Sequence, residues 1–153
     1  YQGLAFGFLS FRIVASVLVI IGTIILVSIL ALSQEYLRLL PLDSSNFEAL
    51  GYLLKTTRDL INHVFMIFVL CIANMLFYIH MIKTKLIPLW LSVLGIVGVL
   101  SAATASLLVL FGSVEIITSE YIILNIPTAL QELILAIWLI IKGFDKTQSA
   151  MKN

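Results

Sequence analysis

Charge and cysteine are what this 153-residue chain has least of. Only 11% of its residues are charged and 61% are hydrophobic, whereas a soluble domain carries about a quarter charged residues and about half apolar ones. A mean hydropathy of +1.15 leaves too little polar surface to cover a fold in water, and makes a lipid bilayer the expected solvent. There is one cysteine, Cys71, so no disulfide closes within the chain. No CxxC or Cys/His spacing marks a metal site. The net charge is +1, with no basic stripe of the kind that binds nucleic acid. Gly-rich phosphate loops, HExxH and GxSxG are all missing, so no catalytic signature is present and no cofactor or metal is expected. The opening Tyr1-Gln2-Gly3 has no Met and no basic start before a cleavage site, so it reads as a cut from a longer protein.

Long apolar runs are what the chain does have. Four segments approach the ~20 residues that a spanning helix needs: about 13–32, 60–82, 88–111 and 121–141. They are apolar all round rather than alternating, which predicts helices and not barrel strands. The fold class is therefore all-α: a transmembrane helical bundle forming a single domain. A long polar connection, 33–58, is expected outside the cell. Within it Ser45-Asn46-Phe47-Glu48 has the form of a capping box, with Phe47, Leu50 and Leu54 as the apolar stripe of a short helix. That helix either lies at the membrane surface or runs into the second span. Pro88 suits the start of the third helix, and Gly143 the stop of the fourth.

The distribution of charge sets a direction. Lys83 and Lys85 in the turn 83–87, with Lys142, Lys146 and Lys152 toward the tail, face loop 112–120 and its Glu115 and Glu120. By the positive-inside rule the turn and tail are cytoplasmic. Trp90 and Phe144 then belong at the inner interface, and Tyr36, Tyr52 and Tyr121 at the outer. Gly98, Ala102 and Ser106, with Gly95 and Ala105 beside them, make a small-residue stripe suited to close helix contact, either within the chain or between copies in a homo-oligomer.

Ionisable groups inside a membrane are costly and are candidates for function. Glu132, ten residues from Lys142, sits about 15 Å from the inner edge. With Gln131 beside it and Pro127 one turn earlier, it reads either as a proton-relay or cation-coordinating carboxylate, or as a buried carboxyl joining two helices. Asn74 is at nearly the same depth, and Thr23 and Ser101 are expected to join these two in one polar cluster. Asp59, His63, Asn74 and Tyr78 share a face of the second span, and Asp59 one turn from His63 could orient its ring. The structural alternative for that pair is interfacial contact with water. His80 is expected at the inner edge, too far from His63 to share a metal. Arg12 is either a charge flanking the first span or, if that helix begins near Leu4, an internal charge that needs a partner.

Three segments carry a resemblance. Ile87-Pro88-Leu89-Trp90-Leu91-Ser92-Val93-Leu94-Gly95 is similar to an IPRWLSxxG pattern. Ile126-Pro127-Thr128-Ala129-Leu130-Gln131-Glu132-Leu133, with Trp138 to Phe144, is similar to PxALQEL followed by WLIxKGF. Together with Arg58-Asp59 and Phe11-Arg12-Ile13-Val14, these resemble the bacterial membrane proteins catalogued as domain of unknown function 4386, over about 11–144. The resemblance implies six spans, of which this chain holds the C-terminal four, and a bacterial cell membrane. It supplies no reaction. Arg12, Arg58, Asp59, Pro88, Pro127, Glu132 and Lys142 are the positions it carries over. Leu89 stands where the pattern has Arg, and Ala15 where an acid is expected.

The sequence therefore describes a multi-pass membrane protein whose leading role is a small transporter or sensor with a mid-membrane polar centre at Glu132 and Asn74. Two alternatives stay open. One is an intramembrane enzyme using Asp59 and His63 on lipid-like substrates at the outer edge, with Arg58 holding a headgroup. The other is a non-catalytic assembly or immunity-type partner.

Overall fold

The computed structural model describes residues 2–39 and 44–143. Phe144, Lys146 and Lys152 lie outside the described residues, as does part of the 33–58 connection. All regular structure among the described residues is helical: α1 (Gln2–Leu39), α2 (Ser45–Leu60), a π-helical turn (Ile61–Phe65), α3 (Met66–Thr84), α4 (Leu89–Leu110) and α5 (Ser119–Lys142). α2, the π turn and α3 run on as one rod, Ser45–Thr84, so that four rods are long and apolar enough to cross a membrane. The fold is an all-α bundle.

Helix ends follow local chemistry. Lys85 takes a left-handed conformation (φ 53°) after Thr84, and Pro88 leads directly into α4. Thr118 caps α5 by accepting a bond from the Tyr121 amide, and Gly143 ends it at φ 68°. The cap of α2 is Ser44, one residue before the expected Ser45; its hydroxyl bonds the Glu48 carboxylate.

Two boundaries move. α1 begins at Gln2, eleven residues before the predicted span, and continues to Leu39. α2 begins at Ser45 and is continuous with the second span. The expected polar connection 33–58 is therefore mostly helical hairpin, with Tyr36 of α1 edge-on to Phe47 of α2. Both rods are about 57–60 Å long at 1.5 Å per residue, twice the ~30 Å hydrocarbon core. The surplus length falls in this hairpin.

α1 packs on α3, α3 on α4, and α4 on α5. The core lies around α3 and α4, where Tyr78, Leu91, Val99 and Ala102 are buried. Small residues allow this approach: a Cβ on Gly95 would lie 2.4 Å from Tyr78 Cζ, and one on Gly98 would lie 3.0 Å from Thr128 Cα. Gly98, Ala102 and Ser106 are all buried within the chain, so this stripe serves contacts between its own helices. On the far side of α1, by contrast, Ile13, Ile20, Ile24 and Val27 are largely exposed, as lipid-facing residues are.

Candidate functional site

Arg12 settles the depth of α1. Its Nη2 donates to Asn74 Oδ1 at 3.3 Å. Asn74 is nine residues from Lys83, about 13 Å from the inner edge, and Arg12 sits at that level. It is an internal charge and not the flanking one. Phe8 lies under its guanidinium, 5.4 Å from ring centroid to Cζ. The other side of Asn74 meets Glu132: Asn74 Nδ2 donates to Glu132 Oε1 at 3.3 Å. A side-chain amide between a guanidinium and a carboxylate has one sensible orientation, oxygen to the cation and NH₂ to the anion. One neutral residue thus bridges two opposite charges from α1 and α5, and the trio carries no net charge.

The bridge is also a partition. A groove of about 250 Å³ lies on the side of the 83–87 turn, reached by Phe8, Tyr78, Ala136 and Leu139. A second cavity of about 190 Å³ lies on the side of the π turn, lined by Ile67, Cys71, Asn125 and Thr128. Asn74 and Glu132 line both. Each volume is large enough for several waters.

Below the bridge, the Tyr78 hydroxyl donates to Gln131 Oε1, and Gln131 Nε2 donates to the Leu91 carbonyl at 3.4 Å. Gln131 is fully buried and ties α5 to both α3 and α4. Above the bridge, His63 Nδ1 and the Tyr121 hydroxyl are 3.1 Å apart. His63 is twenty residues from Lys83, about 30 Å, which puts it at the outer edge. Tyr121, Asn125, Thr128 and Glu132 follow each other at spacings of four, three and four, so α5 presents one polar stripe toward α3. The two stripes meet at His63–Tyr121 and at Asn74–Glu132.

Two expected members of the cluster are elsewhere. Thr23 bonds only the Val19 carbonyl of its own helix, 2.9 Å. With Arg12 at mid-depth, Thr23 is about 16 Å further out. Ser101 reaches across to α5, but to the Leu124 backbone carbonyl. Pro127 lies inside α5 and does not start it. Ser101 on Leu124, and Thr128 Oγ1 on the Gly98 carbonyl at 2.8 Å, bind α4 to α5 on either side of the proline.

Asp59 and His63 share a cleft but form no dyad. Asp59 Oδ1 accepts from Arg58 Nη1 at 3.0 Å, and His63 turns to Tyr121. The π turn, which holds His63, adds a residue to one turn between Asp59 and α3 and changes the register. Ser106 Oγ, fully buried, donates to the His63 carbonyl in that turn at 3.1 Å. The cleft itself is an outer vestibule of about 700 Å³ lined by both charged and aliphatic residues. His80 is half-buried, with an unbonded Nδ1. Among the described residues no three His, Cys, Asp or Glu side chains gather as metal ligands.

A family model described as domain of unknown function (DUF4386) matches residues 1–143. No curated protein and no solved structure matches the chain.

Proposed function

The chain belongs to the DUF4386 family, whose description names no reaction, and from the site geometry we propose that it is a small transporter moving protons or small cations between α3 and α5. The observation that carries this reading is the Asn74–Glu132 bond standing between two cavities that both residues line. A structural strut would be sealed on both sides. This one is approached by a cavity from either side, and its weakest link is a single neutral hydrogen-bond donor on a carboxylate.

Charge supplies the drive. With Glu132 ionised, Arg12 is compensated through Asn74, and the trio is tolerable at mid-membrane. A proton or cation arriving at Glu132 neutralises the carboxylate, weakens the charge-assisted bond from Asn74 and leaves Arg12 uncompensated. A lone cation at that depth costs at least about 2.5 kcal/mol, which favours letting water in and loosening α1 from α5. His63–Tyr121 then acts as the outer contact on the same route. In this reading the turn 83–87 and the end of α5 at Lys142 face the cytoplasm of a bacterial cell.

The test is proton flux into liposomes containing the full-length protein, with an imposed pH gradient and an internal pH dye. Wild type should exceed empty liposomes, and Glu132→Gln should fall to background while keeping its melting temperature within a few degrees. Equal flux from the two would refute the role of Glu132. A collapse of stability in the variant at both pH 5 and pH 8 would make Glu132 a strut.

A further inference from the structure

The outer vestibule lies about 20 Å above the Asn74–Glu132 partition, and of its lining only His63 enters the reading above. Its walls come from α2, the end of α4 and the 111–118 loop. Lys55, Arg58, Asp59 and Glu115 supply charge, while Val109, Val114 and Ile117 supply aliphatic surface. At about 700 Å³ it falls in the usual range of small-molecule sites.

The charges are only partly used. Among the described residues the Arg58 side chain makes one bond, to Asp59, although a guanidinium has five N–H donors. Its Nε is buried with no hydrogen-bond partner, which is an unfavourable state for a donor. Lys55 and Glu115 form no ion pair among the described residues. The site therefore offers two cations and two carboxylates, of which one carboxylate is already spent on Arg58. The remainder is a cationic side at Lys55 and Arg58 and an anionic side at Glu115.

Position narrows the ligand. Asp59 is 24 residues from Lys83, about 36 Å, which is where lipid phosphates lie outside a ~30 Å core. Ile117 and Tyr52 at the rim are 79% and 73% exposed, so an apolar surface flanks the charged one. An anionic headgroup would satisfy Lys55 and Arg58 but meet Glu115 unpaired. A free phosphate would leave both Glu115 and the aliphatic wall unused. We infer that the vestibule binds the zwitterionic headgroup of a phospholipid, with the phosphate at Arg58 and Lys55 and the ammonium at Glu115.

Native mass spectrometry of the delipidated full-length protein in detergent decides this. The protein is titrated with phosphatidylethanolamine, phosphatidylglycerol and inorganic phosphate in turn. One phosphatidylethanolamine should bind at least about tenfold more tightly than phosphatidylglycerol, since each unpaired charge costs about that factor. Glu115→Gln should erase or invert that preference. Lys55→Gln, at an exposed position that cannot upset folding, should weaken phosphatidylethanolamine several-fold. Arg58→Gln should weaken it more. Inorganic phosphate binding as tightly as the lipid would overturn the inference in favour of a free anion. Equal affinity for both lipids in wild type, unchanged by Lys55→Gln and Glu115→Gln, would reduce the vestibule to ordinary lipid contact. Glu132→Gln should leave all three affinities as they are, so failure here and failure of the transport reading are separable.

Discussion

α5 is held on two sides, and the two sides are built differently. Toward α4 the bonds run from a side chain to a backbone carbonyl: Ser101 to Leu124, Thr128 to Gly98 and Gln131 to Leu91. Glycine lets the backbones approach until a Cβ would not fit. Toward α3 and the π turn the bonds run from side chain to side chain: His63 to Tyr121, Asn74 to Glu132, Tyr78 to Gln131. A helix carbonyl cannot rotate away or take up a proton at neutral pH. A histidine, an amide or a carboxylate can do one or the other. The α4 side is thus the fixed side, and the α3 side is a seam held by side chains alone, which the proposed transport takes to open.

The fixed side should show the largest loss when it is crowded. Gly98→Ala places a methyl 3.0 Å from the Thr128 Cα, a backbone atom that cannot swing aside. Overpacking of this kind costs about 3 kcal/mol, readable in denaturant titration of the protein in mixed micelles. If Gly98→Ala is as stable as wild type, the packing on this side is looser than described, and the contrast with the seam is lost.

Tyr78→Phe comes next, at about 1–2 kcal/mol, because it leaves the Gln131 carbonyl oxygen buried without its donor. It tests whether the lowest bond of the seam belongs functionally with the fixed side. A stability loss with normal proton flux would place it there. A loss of flux at unchanged stability would place it with Asn74 and Glu132. Ser106→Ala should cost less, about 0.6–1 kcal/mol. It removes the hydroxyl that meets the His63 carbonyl, so amide exchange should rise in the π turn and not in α5.

Much of this was legible in the sequence. The four apolar runs predicted the four rods, because in lipid a long apolar segment can hardly be anything but a helix. Glu132 and Asn74 were legible as a pair, because both are counted from a lysine at the same membrane face. The stripe Tyr121, Asn125, Thr128, Glu132 was equally available at its four-three-four spacing. It was hidden only because Tyr121 resembles an ordinary interfacial aromatic. Arg12 was not decidable. Hydropathy gives the apolar centre of α1 but not its start, and a start at Gln2 instead of Ile13 changes the arginine from a flank to a mid-helix partner of Asn74. The same offset displaced Thr23. The π turn was beyond reach, since a one-residue change of register leaves no mark on composition. It separates the real partners of Asp59 and His63 from those that helical spacing implies.

The smallest effect should come from Thr23→Val, and it is informative because it is small. Were α1 to begin near Ile13, Thr23 would lie at the depth of Glu132, and its hydroxyl would be a member of the polar centre. With Arg12 bonded to Asn74, residue 22 instead packs against Asn62, where a Cβ would meet Oδ1 at 2.2 Å. Asn62 neighbours His63 at the outer edge. Thr23 is therefore exposed on α1 near the level of His63, with its hydroxyl spent on its own helix. Removing that hydroxyl frees only one carbonyl that is already in the helical ladder, so the change should stay within about 0.5 kcal/mol and proton flux should match wild type. Asn74→Val removes a side-chain amide just as Thr23→Val removes a hydroxyl, but breaks both bonds between Arg12 and Glu132 and should alter flux. If the two valine variants behaved alike, α1 would sit about three turns from where the Arg12–Asn74 bond puts it, and the charge bridge would go with it.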